Sequence, residues 1–221
     1  MGGTQKRVGV VLSGCGFLDG AEIHEATLTL LALDRAGAKI LAFAPAIDQA
    51  EVIDHQTRKP AAGSRSVLAE SARIVRGQIA DLATAKASEL DALVFPGGFG
   101  AAKNLCSFAV DGPSCTVHPE VERIVREMRA ADKAMGFICI APAIAARVLG
   151  ELHPVLTIGD DAGTAAALEK CGAKHQRCRV DEIAVDEKLK LVSTPAYMLG
   201  PSIAPVARGI DALVAKLLAL A

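Results

Sequence analysis

Short hydrophobic runs alternate along this chain with segments whose apolar residues recur every three or four positions. The continuous runs favour buried β-strands, and the wider spacing favours amphipathic helices. Strands and helices that alternate in this way are typical of a parallel sheet covered by helices on both faces. We therefore expect an α/β fold, with residues 1–221 in a single domain.

The hydrophobic runs predict strands at 7–12, 39–43, 91–95, 133–138 and 189–193. The helical spacing predicts helices at 22–36, 119–130, 143–149, 163–171 and 203–220. A polar stretch, 48–66, predicts a loop or small hairpin. Residues 99–118 are rich in Gly, Ser, Cys and Pro and show no period, so we expect a long excursion over the surface, and such excursions are often functional.

The charge pattern argues against two classes of partner. The net charge is -1, and Lys and Arg are scattered, so no basic surface is expected for nucleic acid or anionic lipid. The polar N-terminus runs into an apolar stretch too short for a signal peptide or a membrane span, and Lys6 replaces the Ser or Thr of a myristoylation motif. We expect a cytoplasmic protein.

The cysteines show no Cys-x-x-Cys pair and no histidine spacing of the kind that binds zinc. We therefore expect reduced thiols and no metal. Cys15, Cys106 and Cys115 fall in predicted loops, where packed thiols are the first interpretation and resolving partners for another cysteine the second.

One cysteine stands where a strand turns into a helix. The apolar run 134–138 leads into Cys139, and an apolar helix is predicted a few residues later. A helix N-terminus stabilises negative charge, and the thiolate is the reactive form of cysteine. Cys139 is therefore our candidate nucleophile, although a cysteine in an apolar run is more often a small core residue.

Other polar and glycine positions follow the predicted strands, at the edge where ligands bind in doubly wound folds. Glu25, early in the first helix, is our candidate general acid/base, sharing a proton with Cys139. The backbone N–H groups of Gly97, Gly98 and Ile140 are candidate oxyanion donors.

Each of these features also has a structural explanation. A first-turn glutamate can simply complement the helix dipole, and Pro-Gly-Gly is commonly a turn. The histidines are scattered and are first explained as surface or structural residues. Glu22, His24 and His118 nevertheless fall near the expected pocket and complete the set of candidate site residues.

Three motifs together resemble the ThiJ/PfpI superfamily. They are Gly-Ala-Glu-Ile-His-Glu-Ala at 20–26, Phe-Pro-Gly-Gly at 95–98 and Ile-Cys-Ile-Ala-Pro at 138–142. The segments at 13–16, 104–108 and 191–199 narrow the resemblance to the ElbB group, also called sigma cross-reacting or isoprenoid biosynthesis proteins with glyoxalase activity. The similarity covers nearly the whole chain.

The resemblance implies a flavodoxin-like, class I glutamine amidotransferase-like fold. It implies that Cys139 is a nucleophile on a tight turn, Glu25 its partner carboxylate, and Gly97 and Gly98 the oxyanion-side glycines. Ile140 replaces the histidine of the peptidase and amidase branches, and the tail lacks a His-x-Glu pair, so peptidase and amidotransferase activities are not expected.

The activity implied by the resemblance is the cofactor-independent conversion of small 2-oxoaldehydes, such as glyoxal and methylglyoxal, to 2-hydroxy acids in a homodimer. The alternatives are an oxidant sensor based on Cys139 and an accessory protein in isoprenoid biosynthesis.

Overall fold

The structure is a computed structural model that describes residues 5–221. The first four residues, which include the Met-Gly of a possible myristoylation motif, lie outside the described residues. A central sheet of seven strands dominates the fold. The strands of the structure are β1 (Arg7–Val11), β2 (Lys39–Ala44), β3 (Ile53–Asp54), β4 (Lys59–Pro60), β5 (Ala80–Asp81), β6 (Ala92–Phe95), β7 (Ala134–Ile138), β8 (Val155–Leu156), β9 (Lys174–His175), β10 (Ala184–Asp186) and β11 (Leu191–Thr194).

The order across the central sheet is β10-β11-β7-β6-β1-β2-β5. All neighbours are parallel except the edge pair β10 and β11, which is antiparallel. The predicted α/β fold with a mostly parallel sheet is confirmed. The polar stretch at 48–66 contains a small hairpin, β3 and β4.

Helices cover the sheet on both sides. They are α1 (Ile23–Arg35), α2 (Val67–Ile74), α3 (Phe99–Lys103), α4 (Phe108–Asp111), α5 (Pro119–Ala130), α6 (Pro142–Leu149), α7 (Ala162–Lys170) and α8 (Ile203–Leu220). The five predicted helices are confirmed to within one residue at each end, while α2 to α4 were not predicted.

The core is split by the sheet into two apolar layers. On one side, Leu33 of α1 and Leu213 of α8 are fully buried in a cluster with Val8 and Val10 of β1. On the other side, α5 and α6 pack their apolar faces against β6 and β7, where the rings of Phe95 and Phe137 stack. Strands buried on both faces explain the unbroken hydrophobic runs in the sequence.

The excursion at 99–118 is packed rather than draped over the surface, so that prediction was wrong in part. It contains α3 and α4, and Leu105, Phe108 and Cys115 are buried in the core. The Asn104 side chain fastens the segment by donating to the backbone oxygens of Ser13 and Asp19, at 2.9 Å each. The segment is therefore buried although its sequence has no periodic pattern, because the Asn104 hydrogen bonds and the buried apolar side chains hold it against the rest of the fold.

None of the helices within residues 5–221 is both long and apolar enough to span a bilayer. In the same part of the chain, no group of three or more His, Cys, Asp and Glu side chains is arranged to hold a metal ion.

Candidate functional site

Cys139 occupies a strained turn between β7 and α6. Its φ is +62°, a left-handed conformation that is uncommon for a residue with a side chain. The turn is held by hydrogen bonds from Cys139 N to the Thr194 oxygen at 2.9 Å and from Ala141 N to the Ile138 oxygen at 3.0 Å. Backbone strain of this kind persists only where the surrounding contacts hold the residue in place. The turn places Cys139 at the carboxyl end of β7.

Glu25 lies in the first turn of α1 with no exposed surface. Two backbone donors fix its carboxyl group: Gly97 N–H donates to Oε2 at 3.0 Å and Tyr197 N–H donates to Oε1 at 3.1 Å. The Cys139 thiol lies beside the same carboxyl group and affects its pKa. Backbone donors from two separate segments of the chain thus hold the Glu25 carboxyl group beside the candidate nucleophile.

Gly97 separates the two reacting groups and has no room for a side chain. A Cβ built there would lie 2.5 Å from Cys139 Cβ and 2.6 Å from Glu25 Oε2. The Gly97 N–H is already used by Glu25, so it does not serve as the oxyanion donor that we expected. Its observed role is to orient the carboxyl group.

The backbone N–H groups of Gly98 and Ile140 lie near the Cys139 sulfur and act to lower the pKa of its thiol. Both donors come from turns that follow adjacent parallel strands, β6 and β7. Gly98 has φ +94°, and a Cβ there would lie 2.4 Å from the Gly20 oxygen, so this approach requires glycine. The structure therefore places two donors where negative charge on sulfur, or on an oxygen bonded to a carbon that the sulfur attacks, would be stabilised.

Burial controls the ionisation of both groups. Desolvation, followed by the nearby charge of Glu22, raises the pKa of Glu25 from 4.5 to about 8. Desolvation and the charge of Glu25 raise the pKa of the Cys139 thiol. The free thiolate that the strand-to-helix position favours is therefore opposed by burial, and at neutral pH both members of the pair hold their protons.

A cleft of about 510 Å³ opens at Cys139, a residue that is 8% exposed. Most of its wall is apolar, and Glu22 is its one acidic lining residue. The lining residues are Phe17, Glu22, Gly98, Phe99, Ala102, Phe108, Ala109, Cys139, Ile140, Thr164, Tyr197 and Met198. Volumes of this order accommodate small organic ligands.

Comparisons with known proteins bear on this arrangement. No protein-family model matches the chain. It is 50% identical over 224 residues to the human "Glutamine amidotransferase-like class 1 domain-containing protein 3, mitochondrial", covering 97% of this chain and 83% of that protein. This chain belongs to the glutamine amidotransferase-like class 1 family.

Further members share the sequence or the fold. The zebrafish (Danio rerio) "ES1 protein, mitochondrial" is 37% identical over 206 residues, which is 86% of this chain and 76% of that protein. A crystal structure of an "isoprenoid biosynthesis protein with amidotransferase-like domain" from Ehrlichia chaffeensis superposes with a TM-score of 0.91 at 36% identity, covering 97% of this chain and 99% of that one.

The cytoplasmic location that we expected from the N-terminal sequence is contradicted by these comparisons. The human and zebrafish proteins, and the rat "ES1 protein homolog", which is 49% identical, are all named mitochondrial. These superfamily members point to mitochondria instead. A short polar N-terminus was therefore a poor guide to location.

The remaining predicted site residues separate into three positions. Glu22 caps α1, accepting from Glu25 N–H at 2.7 Å, and lines the cleft. His24 is exposed at the rim, with Nδ1 2.8 Å from the Tyr197 hydroxyl. His118 does not line the cleft; its Nδ1 accepts from Glu120 N–H at 3.2 Å, so it caps α5. The structure brings together Cys139, Glu25, Glu22, Gly97, Gly98 and Ile140 and leaves His118 apart.

Tyr197 belongs to the candidate site but was not predicted from the chemistry of its side chain. It follows β11, and the preceding Ala196 has φ +44°, which turns the backbone so that Tyr197 N–H reaches Glu25. Its ring also lines the cleft. Since β11 runs parallel to β7, the rule that singled out Cys139 at a strand end also applied to residues 195–199.

Substituting alanine for Gly97 tests this packing. The new Cβ has to displace Cys139 or Glu25, so we expect the variant to lose about 1–3 kcal/mol of unfolding free energy and most of any Cys139-dependent activity. Urea unfolding measures the first effect. Gly163→Ala is the matched control: its Cβ would lie 3.6 Å from the nearest atom, and alanine is the better helix former, so this variant should be at least as stable as the wild type. Equal stability of both variants would contradict the described packing.

Proposed function

We propose that this chain converts small 2-oxoaldehydes to 2-hydroxy acids without a cofactor. The observation that carries the proposal is the close approach, on either side of Gly97, of the Cys139 thiol and a buried carboxyl group whose pKa is raised to about 8. A carboxyl group in that range can both accept and return a proton near neutral pH. The narrower resemblance to the glyoxalases of the ElbB group supports the same activity.

The first step starts from the form in which the Cys139 thiol and the Glu25 carboxyl group hold one proton between them. Glu25 holds the remaining proton while the Cys139 sulfur attacks the aldehyde carbon, forming a C–S bond and a hemithioacetal. The developing oxyanion lies near the Gly98 and Ile140 N–H groups. The proton held by Glu25 neutralises that oxygen.

The second step moves a proton between the two carbons. Ionised Glu25 removes the proton on the sulfur-bearing carbon, giving an enediolate, and returns a proton to the neighbouring carbon, while the hydroxyl proton on the sulfur-bearing carbon passes to the second oxygen. The product is a thioester, which water hydrolyses to release the hydroxy acid and the thiol. For glyoxal, the acid is glycolate.

The cleft also argues against the peptidase and amidotransferase activities. No histidine is among the residues that line it, and His24 lies at the rim on Tyr197. A Cys-His pair is the usual arrangement for activating a cysteine that attacks amides.

Proton transfer through Glu25 is tested in deuterated water. We expect NMR to show glycolate formed from glyoxal with one deuterium on its hydroxyl-bearing carbon, because the Glu25 proton exchanges with solvent. Glycolate without deuterium would contradict the enediol step, and no glycolate above the enzyme-free control would contradict the activity.

A second candidate function is oxidant sensing by Cys139. A protonated Glu25 can donate a hydrogen bond to a sulfinic acid, and the cleft admits peroxide to the sulfur. The accessory role in isoprenoid biosynthesis is supported only by the name of the Ehrlichia chaffeensis protein. Mass spectrometry after mild peroxide, beside the glyoxal assay, separates sensing from turnover.

The homodimer that we expect from the resemblance remains a prediction. Phe17 and Phe99 at the cleft are partly exposed, which offers apolar surface for a second copy.

A further inference from the structure

A second group of thiols lies outside the cleft. Cys106 and Cys115 are buried, Cys171 is half-buried, and all three are unbonded thiols. None of them is among the residues that line the cavity over Cys139. The proposed chemistry of the cleft therefore leaves this cluster without a role.

The backbone brings Cys106 and Cys115 together. Cys106 pairs with Val117 in an antiparallel bridge, and Ser107 N–H donates to the Thr116 oxygen at 2.9 Å. The chain between them folds back through α4 and a turn at 112–114. Cys115 lies two residues before Val117, so the two cysteines lie on the same face of this pairing, and each thiol affects the pKa of the other. The Cys106 thiol donates to the Ala101 oxygen at 3.3 Å, a contact that it gives up when the two sulfurs close to the S–S distance of about 2 Å.

One of the two thiols has an electrostatic environment that favours its ionised form. Arg147 Nε donates to the Cys115 backbone oxygen at 2.7 Å, which brings the guanidinium charge close to the sulfur. The neighbouring Cys106 thiol, together with Arg147, lowers the pKa of Cys115 to about 7 despite burial and the opposing charge of Asp111. Desolvation raises the pKa of Cys171.

We propose that Cys106 and Cys115 form a redox dithiol that peroxide oxidises to an intramolecular disulfide. The Cys115 thiolate attacks one peroxide oxygen; an S–O bond forms, the O–O bond breaks, and hydroxide leaves as water. The Cys106 sulfur then attacks the sulfenic sulfur, forming the S–S bond and releasing a second water. Two thiols and one peroxide thus give one disulfide and two waters.

Peroxide reaches these buried sulfurs by local opening of the segment above them. Residues 109–111 are exposed, with Val110 79% exposed, and the segment consists of two short turns rather than a long helix. Segments of this kind open at low free-energy cost. A dithiol reductant should reverse the reaction by the same route.

Peptide mapping of the whole protein tests the proposal. No Lys or Arg lies between Lys103 and Arg123, so trypsin releases both cysteines in one peptide, 104–123. After one equivalent of hydrogen peroxide, we expect this peptide to lose two hydrogen atoms and resist alkylation, and dithiothreitol should restore both thiols. The Cys139→Ser variant should give the same disulfide, which separates this result from the fate of the proposed aldehyde chemistry.

Two further variants make the test selective. Cys115→Ser should abolish the oxidised peptide, whereas Cys171→Ser, which removes the third thiol of the cluster, should leave it at the wild-type yield. Arg147→Gln should slow disulfide formation several-fold in a protein with an unchanged circular dichroism spectrum. Full alkylation of Cys106 and Cys115 in the peroxide-treated wild type, or a disulfide that joins Cys115 to Cys171 instead, would overturn the proposal.

Discussion

Substituting serine for Cys139 is expected to lower glycolate formation from glyoxal at least about a thousandfold. The hydroxyl of serine fits the same turn, but it is a far weaker nucleophile toward an aldehyde than sulfur that shares its proton with Glu25. The cavity and the Gly98 and Ile140 donors remain in place, so the loss should appear in the chemical step. A coupled assay for glycolate measures it directly.

The control for this experiment is Cys171→Ser, which removes a half-buried thiol that does not line the cleft. It should retain wild-type turnover. Comparable turnover in Cys139→Ser and the wild type would refute the proposed function while leaving the fold unaffected.

The second large effect concerns Glu25 and the pH dependence of stability. Its pKa is about 8 in the folded protein and near 4.5 when the chain unfolds. Below pH 4.5, both states hold the proton. Between pH 4.5 and 8, only the unfolded chain releases it, so the free energy of unfolding falls by about 1.4 kcal/mol for each pH unit.

A Glu25→Gln variant lacks this titration. The free energy of unfolding of the wild type minus that of Glu25→Gln should therefore decrease by several kcal/mol from pH 4.5 to 8 and then level off. In Glu25→Gln, the side-chain NH₂ group faces the N–H of Gly97 or Tyr197, and two donors cannot form a hydrogen bond. The free-energy cost of this contact is the same at every pH. It therefore shifts the difference in unfolding free energy between the two proteins without changing its slope with pH. Urea unfolding at several pH values measures the difference, and a flat profile would show that Glu25 titrates normally.

The same substitution should lower glyoxal turnover by about a hundredfold or more, because the group that moves protons is lost. His118→Ala is the matched control. It removes a residue that caps α5 away from the cleft and should change turnover little.

The positions of Cys139 and Glu25 relative to secondary structure could be predicted from the sequence. Both stand at junctions of a strand or loop with a helix, and hydrophobic runs locate those junctions because strands buried on both faces carry little else. The sequence does not show the order of the strands in the sheet. Whether Cys139 and Glu25 lie close together depends on that order. In the sheet, β6 lies between β1 and β7. Gly97, which follows β6, therefore lies between Glu25, which follows β1, and Cys139, which follows β7.

The misplaced residues have equally physical causes. His118 is near the excursion in sequence, but the helix that follows needs a cap, and the histidine supplies it. The ionisation of Cys139 was misjudged because a helix N-terminus is visible in sequence and burial is not. The main contact of Tyr197 with Glu25 is a hydrogen bond from its backbone N–H. Because every residue except proline has this group, the residue type at position 197 does not indicate the contact.

Infrared spectroscopy of the Glu25 carboxyl group tests the central claim, a protonated acid held against the Cys139 thiol at neutral pH. The wild type at pH 7 should show a carbonyl band of a protonated carboxylic acid that is absent from Glu25→Gln and disappears as the pH passes about 8. A spectrum in which Glu25 is already a carboxylate at pH 6 would contradict the account.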